Sequence, residues 1–381
     1  MRSPTPIVAL AGLLLVGAAC TKNDTDSASG NVKVRSTDDA CEVSAAAAPS
    51  GNVVFEVTND GSEVTEFYLL ADDGLRIIGE VENIGPGISR NLVVQAAPGG
   101  YFTACKPGMV GDGIRSAFTV SDSGQEVATG DVADLIATGT EQYRLYVRDQ
   151  VGQLVAKTQQ FADLYTAGSD DEARALYADA RTHWERIEPV AESFGDLDPK
   201  LDLREADLEA GQAWTGWHAI EKDLWPPASD YTPFTADERT ALADLLVVDT
   251  TDLSARVQEL TYDATQLGNG AKELLDEVAT GKVTGEEEIW SHTDLWDFQA
   301  NVDGARIAFE NLQPALEKKD PDLATTLTER FTALQQLLDR HRDGEGFQLY
   351  TELSTAEIKA LADAVNALSE PLAELTAAVV L

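Results

Sequence analysis

The stretch "ADLIATGTEQYRLYVRDQVGQLVAKTQQFADLYTAG", residues 133–168, decides the fold. Its apolar positions recur at three- and four-residue spacing, the period of one face of an α-helix. Upstream the period is different. Residues 31–121 alternate or cluster β-formers in "NVVFEVTND", "TEFYLL", "RIIGEVENI", "RNLVVQA", "GYFTACKPG" and "RSAFTV". Turn signals separate them, among them Asn59-Asp60-Gly61, Asp72-Asp73-Gly74 and Gly85-Pro86-Gly87. Short strands at this spacing predict an all-β sandwich or barrel. Residues 122–131 are small and polar and read as a linker. From residue 132 to residue 381 the helical period continues, with Ser, Thr or Asp at many helix starts, and predicts an all-α bundle domain. No short repeat runs through it.

The N-terminus reads "MRSPTPIVALAGLLLVGAAC". Arg2 precedes an apolar run too short to span a bilayer, and small residues precede a cysteine, so residues 1–19 read as a signal peptide. "VGAAC" resembles a bacterial lipobox, with Gly17 where that motif prefers Leu. Lipidation of Cys20 is therefore expected, which anchors the chain to the membrane; the alternative is a plain cleaved signal with Cys20 incidental. Residues 20–30 are polar and suit a tether. The formal net charge is −38, from 28 Lys and Arg against 66 Asp and Glu. Such a surface excludes nucleic acid as the main partner, because phosphate binding needs basic residues.

With Cys20 lipidated, Cys41 and Cys105 are the remaining cysteines. An exported protein permits a disulfide, and two thiols can also ligate a metal; spacing does not separate the two. The β region has no histidine, so a blue-copper electron-transfer centre is not supported.

A second stretch carries the chemistry: "TGWHAIEKDLW", residues 215–225. On a helix of about 100° per residue, Trp217, Ile220 and Leu224 share a face and Glu221 falls about 40° from Trp217, inside it. Trp214 and Trp225 project to the same stripe, and His218 stands at its edge about 60° from Glu221. A buried carboxylate without a partner costs several kcal/mol or takes up a proton, and a cation removes that cost. His-x-x-Glu on one face can supply two ligands to one ion. The competing reading is a helix-surface histidine with a glutamate paired to Lys or Arg.

"GWHAIEKDLW" resembles the Gly-x-His-x-x-Glu signature of the imelysin-like, M75-type helical domain. "ERIEPVAESFGDLDPKLDLREADLEAG" (185–211) and "WSHTDLWDFQANVDGA" (290–305) resemble its flanking segments. With the β region upstream, residues 31–381 are similar to iron-uptake proteins that join a cupredoxin-like sandwich to an imelysin-like domain. The resemblance implies a metal site of Glu188, Asp202, His218 and Glu221. Three carboxylates and an imidazole form a hard donor set that suits ferrous or ferric iron. It also implies a β-domain site of Cys41, Glu66 and Cys105 for copper or a second iron, against which stands a Cys41–Cys105 disulfide. The function implied is that of an iron-binding lipoprotein on the outer face of the cell membrane. It would pass iron to a membrane permease and act with a haem-containing peroxidase.

Further expectations attach to these segments. Pro189 is expected to kink a helix and aim Glu188 inward. Glu185 is expected on the solvated face, and His183 in packing or at the surface. His292, Asp294 and Asp297 are expected as helix-packing polar groups, with His292 also a candidate for lining the cleft, and His341 belongs to no site. Two other functions compete. A metallopeptidase usually carries His-Glu-x-x-His, whereas "HAIEK" has one histidine. A polysaccharide- or surface-binding lipoprotein with a structural metal needs an exposed aromatic groove; most of Trp214, Trp217, Trp225, Trp290 and Trp296 are expected in the core.

Overall fold

The computed structural model describes residues 31–124, 130–208, 211–229 and 231–381. The expected signal peptide, the expected tether with Cys20, and residues 125–129 of the expected linker lie outside the described residues.

Among the described residues, nine strands form the N-terminal region: β1 (Val32–Ser36), β2 (Cys41–Val43), β3 (Ala47–Pro49), β4 (Gly51–Asn59), β5 (Thr65–Leu70), β6 (Ile77–Ile84), β7 (Ser89–Ala96), β8 (Gly99–Pro107) and β9 (Ile114–Ser121). They make two sheets, in the orders β2-β1-β4-β7 and β3-β9-β8-β5-β6. β1 runs parallel to β4 and β3 parallel to β9; the other pairs are antiparallel. The six apolar runs read from sequence are β4 to β9, and the three short strands before them were not individually legible. Alternate residues of each strand face the interior. Phe55 from one sheet lies 5.2 Å from Phe67 and 5.3 Å from Phe118 of the other, so the core is a two-sheet sandwich. A Cys41–Cys105 disulfide joins β2 to β8 across the sheets.

The helical region contains α1 (Asp131–Thr166), α2 (Asp170–Glu185), α3 (Asp198–Asp202), α4 (Trp217–Leu224), α5 (Ala236–Arg256), α6 (Ala264–Thr280), α7 (Asp294–Lys319), α8 (Pro321–Leu338), α9 (Thr355–Leu372) and α10 (Leu375–Val380). α1 begins where the period changes. It buries Tyr143, Val147, Val151, Leu154, Phe161 and Tyr165, the stripe the opening stretch predicts. Three helices start with reciprocal caps, Thr235 with Glu238, Asp263 with Gln266 and Ser354 with Glu357. α6 docks on the sandwich: Asn269 Nδ2 donates to the Val93 carbonyl at 2.9 Å, and the Thr265 hydroxyl accepts from Gln95 N at 3.1 Å. Among the described residues, no helix is long and apolar enough to cross a membrane.

Three local expectations need correction. α2 ends at Glu185, and Glu188 opens a 3₁₀ segment, Glu188–Leu197. Pro189 therefore sits in a first turn, where its missing N–H removes no helical bond, and the backbone leaves helical geometry at Val190 just after it, outside α2. Trp214 precedes α4 and Trp225 follows it, so neither belongs to the helix's apolar stripe. Of the five tryptophans expected mostly in the core, Trp217 is buried and the other four are half-buried.

Candidate metal centre

Close backbone packing brings the site together. Gly216 has φ +84°, and a Cβ there would lie 2.2 Å from the Leu201 carbonyl oxygen. Glycine lets the start of α4 press on the end of α3, which sets His218 beside Asp202. A Cβ on Gly270 would lie 1.7 Å from the Pro189 carbonyl oxygen, so α6 likewise presses on the turn that carries Glu188. The rotation of α4 is fixed by Trp217, whose ring packs 5.1 Å from Phe161 and 5.8 Å from Tyr177.

His218 is 2% exposed and lies between carboxylates on both sides of its ring. Nε2 is 3.4 Å from Asp202 Oδ1 and 3.6 Å from Glu287 Oε1. Nδ1 is 3.4 Å from Glu221 Oε2 and 4.0 Å from Glu288 Oε1. Glu221 is fully buried, and its other oxygen accepts from Trp290 N at 3.0 Å and Ser291 N at 2.7 Å. Those two backbone donors come from the turn that precedes α7. Glu288 accepts from the Ser291 hydroxyl at 3.0 Å and from the Tyr177 hydroxyl at 3.3 Å. Asp202 accepts from Trp184 Nε1 at 2.9 Å.

Two buried cations balance part of this charge. Arg181 of α2 is fully buried and pairs with Glu185 and Asp202, with Glu288 at 2.6 Å and with Asp297 at 3.5 Å. Lys282 reaches Glu185 at 2.9 Å and Glu188 at 2.9 Å. Carboxyl groups still outnumber cations. Glu185, Glu188, Asp202, Glu221, Glu287, Glu288 and Asp297 face Arg181, Lys282 and His218.

The strain shows in the titration of the groups. Burial, with the nearby Arg181, opposes charge on His218, but hydrogen bonding to Asp202, Glu221 and Glu287 outweighs them and raises its pKa well above the ordinary value. Burial opposes charge on Glu287 as well, yet Lys282 and His218 pull its carboxyl down to about 2. Burial, reinforced by the charge of Glu221, pushes Glu288 well up, and burial does the same to Asp297 despite Arg181. A cluster in which some carboxyls are held ionised while others are driven toward protonation has more negative charge than its own cations neutralise. A multivalent cation with oxygen and imidazole ligands would relieve it.

Among the described residues, three sets of side chains bring one ligand atom each within 4.8 Å of one another: Asp202, His218 and Glu287; His218, Glu221 and Glu288; and Glu185, Glu188 and Asp202. Of the residues read from sequence, Asp202, His218 and Glu221 therefore adjoin. Glu188 stands on the far side of Asp202, beside Lys282. Glu185, expected in solvent, is fully buried, and so are Asp294 and Asp297. His183 is buried in packing against Gln150, at 2.9 Å, away from these carboxylates. His292 is half-exposed at φ +60°, and His341 is buried in a 3₁₀ turn near Gln348. Sequence reading missed Arg181, Lys282, Glu287 and Glu288. The signal for the last two was the run "GEEEIW" just ahead of "SHTDLW". It reads as a helix start but forms the turn whose backbone holds Glu221.

The β-domain trio does not converge. Glu66 pairs in register with Lys106, and Phe67 with Cys105, in adjacent strands. Adjacent residues of a strand face opposite sides. Cys105 and Phe67 are in the sandwich core, so Glu66 points to the outer face, where it pairs with Tyr68 and, at 3.5 Å, with Lys106. The cysteines are disulfide-bonded. Of the two alternatives held open for Cys41, Glu66 and Cys105, a copper or second iron site and a disulfide, the structure carries the disulfide.

Two recesses open onto the helical site, of about 390 and 450 Å³. Glu188, Asp202 and Lys282 line the first; His218, Glu221 and Trp290 line the second; Arg204, Asp207, Glu286 and Glu287 line both. Residues 139–375, which hold every residue of this cluster, match the imelysin (peptidase M75) family model. The chain belongs to the imelysin family. Ahead of the imelysin region, residues 7–120 match the cupredoxin-like domain model. The iron uptake system component EfeO of Yersinia pseudotuberculosis serotype I (strain IP32953) is 38% identical over 347 residues, covering 90% of each chain. The protein of the same name from Escherichia coli O157:H7 is 36% identical over 347 residues, again 90% of each. A solved imelysin-like protein from Psychrobacter arcticum 273-4 aligns with a TM-score of 0.48 at 11% identity, over 65% of this chain and 95% of that one.

Proposed function

We propose that this imelysin-family chain is the extracytoplasmic iron-binding component of an iron uptake system. The observation that carries the reading is the setting of His218. Its buried Nε2 faces Asp202 at 3.4 Å and Glu287 at 3.6 Å, longer and less well aligned than an ordinary hydrogen bond, inside a cluster with excess carboxylate. A metal-ligating histidine commonly gives its other ring nitrogen to a carboxylate, and Nδ1 faces Glu221, itself locked by two backbone N–H groups. Asp202, His218 and Glu287 then offer the ligand atoms, and Glu221 orients the ring. Glu188, across Asp202, extends the carboxylate surface toward the first recess.

The relatives named for iron uptake support iron, ferrous or ferric, as the cargo. The net charge of −38 favours approach of cations. Lipidation at Cys20 would hold the protein on the outer face of the cell membrane. From there it would hand iron to a permease and act beside a haem-containing peroxidase, the partners implied by the resemblance. The test is calorimetric titration of the whole chain with Fe²⁺ under anaerobic conditions. His218→Ala combined with Glu221→Ala is expected to abolish binding; unchanged affinity removes the site.

A further inference from the structure

Lys282 is an unusual counter-ion. Its ammonium is almost wholly buried, where lysine is rarely found. It reaches Glu185 Oε2 at 2.9 Å, Glu188 at 2.9 and 3.0 Å, and Glu287 Oε1 at 3.7 Å. Two of those carboxylates belong to the set Glu185, Glu188 and Asp202, whose oxygens are close enough to share one ion. A second group at the same place is incompletely paired. Asn301 is fully buried, and its Nδ2 donates to Glu185 at 3.0 Å and to Glu188, while its Oδ1 has no partner. Turning that amide over would offer Oδ1 to the space the two glutamates enclose. Oxygen donors arranged this way suit a hard divalent cation.

We propose that Lys282 is a tethered substitute for a second metal ion. Its ammonium lies against Glu185 and Glu188, two of the three carboxylates of that set, and so holds the centre to a single ion beside His218. Lys282 sits on a 3₁₀ turn, Lys282–Thr284, on the wall of the first recess. Arg181 is different in kind: its planar guanidinium is fully enclosed and pairs with five carboxylates, so it is part of the frame. A site shared by Asp202 between the two positions would otherwise accept a carboxylate-bridged pair of ions. Lysine in the second place removes that option, so each chain carries one ion and releases one. This inference rests on the proposed cation site.

The test is Mn²⁺ stoichiometry by equilibrium dialysis, with electron paramagnetic resonance on the same samples. The whole chain is expected to bind one Mn²⁺ at this centre, with the signal of an isolated ion. Lys282→Met is expected to bind two, with an exchange-coupled signal. Lys282→Arg, which keeps the charge, and Lys282→Met with Glu185→Gln, which removes a carboxylate, are expected to stay at one. Equal stoichiometry of one in the native chain and Lys282→Met overturns the proposal and leaves the iron-binding reading standing. Absence of binding in both overturns both. If Lys282→Met unfolds without metal, recovery of a cooperative melt in Mn²⁺, absent for the double variant, supports the proposal; failure to recover overturns it.

Discussion

Glu221 and Glu66 are both buried carboxylates picked out by the sequence, and they meet opposite fates. Glu66 is matched one for one: Tyr68 donates to it, and Lys106 supplies the charge. Glu221 has its donors too, but they leave it among His218, Glu288 and a set of carboxylates that Arg181 and Lys282 only partly neutralise. Burial of an acid is therefore not by itself the mark of a site; a local excess of acids over cations is. The β domain gives Glu66 its own donor and counter-ion and secures its sheets with a disulfide. The helical domain gathers carboxylates around His218 and opens two recesses to them.

The sharpest way to break the comparison is to remove one carboxylate from each region. Glu287→Gln is expected to weaken Fe²⁺ or Mn²⁺ binding on the order of 100-fold, the scale for loss of a metal-site group. Glu66→Gln is expected to leave it unchanged. Equal losses, measured by calorimetry, would mean that the β domain holds metal after all.

Stability tests the same contrast. Arg181→Met leaves Glu185, Asp202, Glu287, Glu288 and Asp297 without their shared counter-ion, and breaking such a buried network costs about 3–5 kcal/mol. Cys41→Ser with Cys105→Ser opens a link across a sequence separation of 64 residues and is expected to cost about 2–4 kcal/mol. Denaturant unfolding reads both. The first variant should impair metal binding and the second should not; impaired binding in the cysteine variant would tie the two regions together.

Two buried histidines give the smallest effect. His218 is ringed by carboxylates and its pKa is raised, whereas His183 meets Gln150 and is lowered to about 4 by burial, with Lys157 and Arg186 adding to it. A histidine whose folded pKa is depressed takes up its proton more readily in the unfolded chain. Its penalty is therefore absent above the unfolded value near 6.5 and grows as pH falls toward about 4. With solvent screening discounting the full shift, on the order of 1 kcal/mol of stability should be lost over that window. His183→Gln should flatten this part of the stability profile; an unaltered slope would place the titration elsewhere.

The division into sandwich and bundle was legible because hydrophobic period changes at Asp131 and local period is written in adjacent residues. The pairing of His218 with Glu221 was legible for the same reason, since one helical turn joins them. Asp202 and Glu188 came from the resemblance. Arg181, Lys282, Glu287 and Glu288 were not legible, because a buried ion pair between distant segments leaves no periodic trace. Glu185 was misplaced because an acid near a helix end reads as solvated until an arginine four residues earlier is known to be buried with it. The Glu66 grouping failed on strand register: one residue separates it from the partner of Cys105, and one residue reverses the face.

The most direct test of the central claim is anomalous diffraction at the iron edge from crystals of the whole chain soaked with iron. The account predicts a peak within bonding reach of His218 Nε2, Asp202 and Glu287, and none beside Glu66 or the Cys41–Cys105 bridge. A peak confined to the β domain, or none near His218, would contradict it.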